Sequence, residues 1–173
     1  MSNGVPEKSL NFNVYADGGE LLGVAEGKFP NGEFMTSEVK GAGIAGVIDS
    51  PGFGQLQSMT LELTWRTTTK DWARMMIPGA HILDLYAAHL SFDAGLGQYK
   101  TSQVHAFVKG VSKSYDAGKL AVSESSETKT TIEIYYLKLE IDGIEQLEVD
   151  KYNFIYKVKG YDYMSEVRRA LGK

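Results

Sequence analysis

From Ser58 to Arg66 the chain alternates without a break: Met59, Leu61, Leu63 and Trp65 share one side of an extended segment, and Thr60, Glu62, Thr64 and Arg66 share the other. Successive side chains of a strand point to opposite faces, so one face here is core and the other meets water. The composition agrees: 19 Gly, 10 Tyr and abundant Thr and Val with only 4 Pro favour strands and tight turns over helices. At 173 residues the chain can bury a core without staples, and a single domain over 1–173 is expected.

What the chain lacks narrows its chemistry. Cys is absent, which removes thiol nucleophiles, Cys-based zinc sites and disulfides, and suits a reducing cytoplasm. A net charge of -4 argues against tight binding to nucleic acid phosphates. The start, MSNGVPEKSLNFNV, has no basic stretch followed by an apolar run, and no apolar run approaches membrane-spanning length. A soluble product made in the cytoplasm, without stable membrane insertion, is therefore expected.

Along the chain, Asn11 to Tyr15 and Glu20 to Glu26 read as a hairpin around Ala16-Asp17-Gly18-Gly19, because Asp-Gly supplies the positive φ angles of a two-residue turn. Two helical patches are predicted, Lys70 to Met76 with Trp72, Met75 and Met76 on one side, and Ala80 to Leu90 with Ile82, Leu85 and Tyr86, separated or kinked at Pro78-Gly79. Gln103 to Tyr115 and Glu124 to Ile141 form a long hairpin around Asp116-Ala117-Gly118-Lys119. Ile132 and Ile134 share a face, the phase slips at Tyr135-Tyr136, and Leu137, Leu139 and Ile141 resume it, which predicts a β-bulge. The remainder reads as an Asp142-Gly143 turn, two strands and a short basic helix. In that helix Asp162 caps the start, Met164, Val167 and Leu171 form the apolar stripe, Arg168 and Arg169 suit the negative end, and Gly172 stops it. The fold class is α+β, mostly β.

Motifs that could carry chemistry fail on context. Gly41-Ala42-Gly43-Ile44-Ala45-Gly46 matches G-x-G-x-x-G, but Pro51, Gly52 and Gly54 leave no room for the helix a dinucleotide site needs. A glycine loop between two strands is the better reading. Gly118-Lys119 lacks both the leading Gly and the trailing Ser or Thr of a P-loop, and no G-x-S-x-G elbow is present. His81, His89 and His105 lack the spacing of a helical metal pair and read as solvated or core histidines. Glu124, Glu127 and Glu133 alternate as a wet strand face does. No catalytic, cofactor or metal site is assigned, and an enzyme is not expected.

The order of landmarks resembles the major tail tube protein family of contractile-tailed bacteriophages, shared with phage-tail-like bacteriocins. They are Asn13-Val14-Tyr15 with its turn, Gly41-Ala42-Gly43, Ser58-Met59 with its strand, Leu85-Tyr86-Ala87-Ala88, and Tyr136 to Gly143. Glu148-Val149-Asp150 with Asn153, Val158-Lys159-Gly160, and Arg168-Arg169 through Leu171-Gly172 complete the series. The chain departs from the pattern by a longer stretch at Thr67 to Ala80 and an acidic, Ser-rich run at Ser123 to Glu127.

The resemblance implies a β-sandwich or barrel-like fold with a flanking helix, six copies in a ring, and rings stacked into a hollow tube. Two long hairpins per copy would line a shared barrel: Phe29 to Val39 against Gln55 to Arg66, and Gln103 to Tyr115 against Glu124 to Leu137. Thr60, Glu62, Thr64, Glu127, Lys129, Thr131 and Glu133 would then line the lumen with an acidic balance, past which DNA slides without sticking. Which face of Gln103 to Lys109 would meet the lumen stays open, because Phe107 shares parity with His105 and Lys109. Gly41, Gly43, Gly46, Asp49, Pro51, Gly52, Phe53 and Gly54 would form an inter-ring loop, and Arg168 and Arg169 a subunit contact. The implied partners are further copies of the chain, a sheath protein, and baseplate and tail terminator proteins. The implied location is a virion tail or tail-like particle assembled in a bacterial cytoplasm. A small β-sandwich binding module is the alternative reading.

Overall fold

A computed structural model describes residues 4–17 and 19–173; Gly18 of the first turn lies outside the described residues. In chain order the elements are β1 (Gly4–Ala16), β2 (Glu20–Leu22), β3 (Val24–Lys28), β4 (Phe34–Val39), β5 (Ile48–Leu56), β6 (Thr60–Trp65) and α1 (Lys70–Arg74). There follow β7 (Ala80–Asp93), β8 (Gln98–Asp116), β9 (Thr128–Ile141), β10 (Ile144–Asp150), β11 (Ile155–Val158), β12 (Tyr161–Asp162) and α2 (Ser165–Ala170). The class is α+β and mostly β. Ten strands form one antiparallel sheet in the order β12-β11-β10-β9-β8-β7-β1-β2, with β6 joining β9 to β3, while β4 and β5 form a separate two-stranded arm.

The central strand is β9, and it explains why the sheet forks. Its first half, Thr128 to Glu133, pairs with β6; its second half, Tyr136 to Ile141, pairs with β10 on the same side. The change of partner falls at the predicted bulge. Lys109 lies opposite Tyr136 and Gly110 opposite Ile134, so Tyr135 is the extra residue, and its carbonyl accepts the Lys151 N–H at 3.0 Å. A bulge bends its strand and adds twist, which lets one strand serve two diverging sheets.

Alternation holds where the sequence predicts it. Met59, Leu61, Leu63 and Trp65 are at most 2 % exposed, and across the ladder Thr128, Thr130, Ile132 and Ile134 are equally buried. Each fully buried Leu or Ile contributes about 1.5–3 kcal/mol. The two buried threonines are satisfied: Trp65 Nε1 donates to Thr130 Oγ1 at 3.2 Å, and Thr128 Oγ1 donates to the Thr67 carbonyl. Asp142 and Gly143 both take positive φ, as a tight turn between paired strands requires.

Three expectations are corrected. Ala80 to Leu90 is not a helix but most of β7. His81, Leu83, Leu85 and Ala87 are buried while their neighbours face out, so the period is 2. The spacing of Ile82, Leu85 and Tyr86 fits a helix equally well, but paired strands on both flanks, β1 and β8, override local preference. The first long hairpin is also regrouped: β4 pairs with β5, and β6 takes β3 as its outer partner rather than Phe29 to Val39. Positive φ at Gly41, Gly43 and Gly46 reverses the chain between Val39 and Ile48, so the return strand begins well before Gln55. The helix at Lys70 and the final helix both form, but Val167 and Leu171 stay exposed, and only Met164 of the predicted stripe is buried.

Candidate functional site

The wet side of β6 and β9 is a continuous polar surface. Direct cross-strand pairs join Thr60 to Glu133, Glu62 to Thr131 and Thr64 to Lys129, so all of the predicted lumen residues except Glu127 lie on one continuous face. Glu127 precedes β9, at φ 51°, and leaves the sheet. On the far side of β6, Glu26 faces Thr64 and Lys28 faces Glu62; on the far side of β9, Asp116 faces Lys129. Sequence reasoning missed these flanking residues, although Glu26-Gly27-Lys28 carries the same alternation.

The expected acidic balance is weaker than the residue types suggest. Glu133 accepts from Ser58 Oγ at 2.5 Å and pairs with Lys113 at 3.2 Å and Lys151 at 3.7 Å. Burial pushes its carboxyl up, but the Ser58 and Lys113 bonds outweigh that and hold it below its ordinary range. With Glu133 matched, Glu26, Glu62 and Asp116 stand against Lys28 and Lys129.

This four-stranded portion, β3-β6-β9-β8, ends in two open edges. β3 has no partner beyond β6, and β8 outlasts β7, whose pairing begins at Ala80 opposite Val111, leaving Ser112 to Asp116 bare on that side. Among the described residues neither edge is covered by another strand.

At one end of this portion stands the β4–β5 arm. Gly41, Gly43 and Gly46 lie in its tip, as predicted, whereas Asp49, Pro51, Gly52, Phe53 and Gly54 belong to β5 and not to a loop. Pro51 is tolerated because β5 is an edge strand. The foot of the arm is fixed: the Phe34 ring meets Phe53 at 5.9 Å and Tyr156 at 5.5 Å. Gly54, at φ 78°, lies so close to Met164 that an added Cβ would fall 2.3 Å from its Sδ. Met35, Val39, Val47, Ile48 and Phe53 remain exposed.

Arg168 and Arg169 divide in role. Arg168 is an internal tie, donating to Asp162 Oδ2 at 2.5 Å and to the Phe154 carbonyl at 2.7 Å, while Arg169 is exposed. Arg168 also holds the Asp162 carboxyl below the usual range.

The alternation continues along β8. Val104, Ala106 and Val108 turn inward; Gln103, His105, Phe107 and Lys109 turn away from the core. His105 stacks on Tyr86 at 4.2 Å, with Nε2 2.7 Å from Asp84 and Nδ1 3.3 Å from Glu140. Nearby, burial and a 3.0 Å bond to Glu148 push the Tyr136 phenol up to about 12. His81 is a core residue bonded to the Ile77 carbonyl. Among the described residues no group of three or more His, Asp or Glu is placed to hold a metal ion, and no helix is long and apolar enough to cross a membrane.

Comparison of the chain with known proteins points to one family. The tail tube protein of Escherichia phage P2 is 29% identical over 179 residues, covering 97% of this chain and 98% of that protein. A solved chain from the sheath/tube terminator of an extracellular contractile injection system, in its extended state, superposes with a TM-score of 0.54 at 14% identity, covering 79% of this chain and 97% of the other, a likeness of fold. The family model for phage tail tube protein FII matches residues 6–172. The chain belongs to the phage tail tube protein FII family.

Proposed function

We propose that this protein is a non-enzymatic structural subunit of the inner tube of a contractile phage tail or tail-like particle, assembling as stacked hexameric rings around a lumen that passes DNA or ions. The observation that carries this reading is the β3-β6-β9-β8 portion, with a dry face, a wet face and two bare edges. Its strands alternate in direction, and their number is even. The β3 edge of one copy therefore meets the β8 edge of the next antiparallel, whatever the number of copies. Closing the ring removes both edges, the remedy barrels provide for unpaired strands. Glu26 and Lys28 lie on one edge strand and Lys113 and Asp116 on the other, so both edges carry charges of both signs.

The wet face then lines the lumen, with Thr60, Glu62, Thr64, Lys129, Thr131 and Glu133 toward the channel. A polar surface with nearly balanced charge holds no stripe of lysines to release counterions from DNA, so a duplex slides through without being bound. The arm tip at Gly41 to Gly46 contacts the adjacent ring, and Arg169 is the better candidate of the two arginines for a neighbouring subunit. Sheath, baseplate and terminator proteins are the further partners, and the tail of a particle assembled in the host cytoplasm is the location.

Electron microscopy of the concentrated protein tests this reading. Rings with a central channel, or hollow rods, are expected. Proline placed at Gly27 and at Lys28 in separate variants, beyond the register shift at Ala25, should abolish rings in at least one, since one of two neighbouring residues of a regularly paired strand directs its N–H to the open edge. Persistent monomers of the unaltered protein at high concentration overturn the proposal.

A further inference from the structure

We infer that the loop between β8 and β9 seats in the hollow at the foot of the β4–β5 arm of a second copy stacked end to end. This rests on the tube reading above and adds a second inter-ring contact to it. Leu120 and Val122 are 97 % and 94 % exposed, the highest values among the large apolar side chains of the described residues. Their loop is nonetheless held at its base. Lys119 N–H donates to the Ser126 carbonyl at 2.9 Å, and Ser126 N–H and Ser125 Oγ donate to the Arg66 carbonyl at 2.8 and 2.7 Å. An added Cβ on Gly118 would fall 2.0 Å from the Ser126 carbonyl oxygen, so the closure at the base depends on a glycine. A fixed base that displays two bare apolar side chains is a surface awaiting a partner.

The partner is indicated by where the complement lies. The loop leaves the sheet where Trp65 pairs with Thr128, whereas the arm rises where Thr60 pairs with Glu133, at the opposite end of the same strands. The two ends are separated by about 17 Å of strand. Beside the arm is an open hollow of about 580 Å³ lined by the apolar Met35 and Leu56 together with Thr36, Gln57, Ser58, Glu133 and Lys151. Met35 is 53 % exposed there. Charge is complementary. Lys113 and Lys151 flank the single Glu133 at the hollow, while the loop carries Glu124 and Glu127 against Lys119. Complementary patches at opposite ends of one molecule make a heterologous contact, which repeats without closing and builds a stack.

The test is the double variant Leu120→Ser with Val122→Ser. Both side chains are solvated in the free protomer, so its melting temperature should be unchanged and edge pairing should still give rings. Rods should be lost. If the unaltered protein gives neither rings nor rods, the tube reading falls and this inference with it; if the variant forms rods at the same protein concentration as the unaltered chain, only the loop docking falls. The Cys-free sequence allows a second measurement, with Leu120→Cys combined with Met35→Cys or Leu56→Cys. Oxidised rods should run as a ladder of linked copies on a non-reducing gel, and monomers alone from both pairs overturn the contact.

Discussion

Gly110 offers the sharpest test of the forked sheet. It is buried in β8 opposite Ile134, beside the bulge at Tyr135. A Cβ at this position would lie 2.5 Å from the Glu133 carbonyl oxygen and 2.5 Å from Ile132 Cγ2, well inside van der Waals contact. Neither neighbour is the free end of a flexible side chain, so β9 itself must move. Overpacking of this kind costs about 1–3 kcal/mol. Restricting the unfolded chain returns about 0.4–1 kcal/mol, leaving Gly110→Ala less stable by about 1–2 kcal/mol. For a chain of this size that lowers the melting temperature by about 3–6 °C. Gly23→Ala is the control, because nothing lies within 4 Å of its added Cβ and its backbone needs no positive φ. It should be neutral or slightly stabilising. Urea denaturation of the dilute protomer, followed by fluorescence of the buried Trp65 and Trp72, reads both variants. Equal midpoints for Gly110→Ala and Gly23→Ala would refute the close-approach argument.

Two further outcomes follow from the ion pairs. Arg168→Ala should lower the denaturation midpoint by freeing Asp162 and the Phe154 carbonyl, whereas Arg169→Ala should leave it unchanged; equal effects would mean that Arg168 is no internal tie. The Glu133 carboxyl is depressed below its ordinary 4.5, so its stabilisation is present above that pH and is lost as pH falls through the lower folded value. The stability gap between the unaltered chain and Glu133→Gln should accordingly be widest at neutral pH and narrow below 4.5, and a gap that widens with acid would reverse the sign of the argument.

Much of the sheet is legible in the sequence because a strand's faces are a local property. The alternation through Trp65, the buried Thr128 to Ile134 series, the slip at Tyr135 and the positive φ pair at Asp142-Gly143 each follow from residues a few positions apart. The family resemblance, carried by ordered landmarks, also holds over nearly the whole chain. The candidate site is only partly legible. The outward residues of β6 and β9 are found by parity, but Glu127 is not excluded by it, because the first residue of a strand is set by its ladder.

The amino-acid order alone therefore determines which side of β6 and of the first half of β9 is dry, where β9 kinks and where the Asp142-Gly143 turn falls, since these depend on side-chain period and backbone φ. Tertiary pairing decides the rest. It makes Ala80 to Asp93 a strand, because ladders on two sides satisfy more backbone groups than an isolated helical stretch would hold against them. It gives β6 the partner β3, splits β9 between β6 and β10, turns Arg168 inward onto Asp162, and sets the β8–β9 loop and the β4–β5 arm at opposite ends of the β6–β9 ladder. Those outcomes depend on residues far apart in the chain, whose meeting no local pattern encodes.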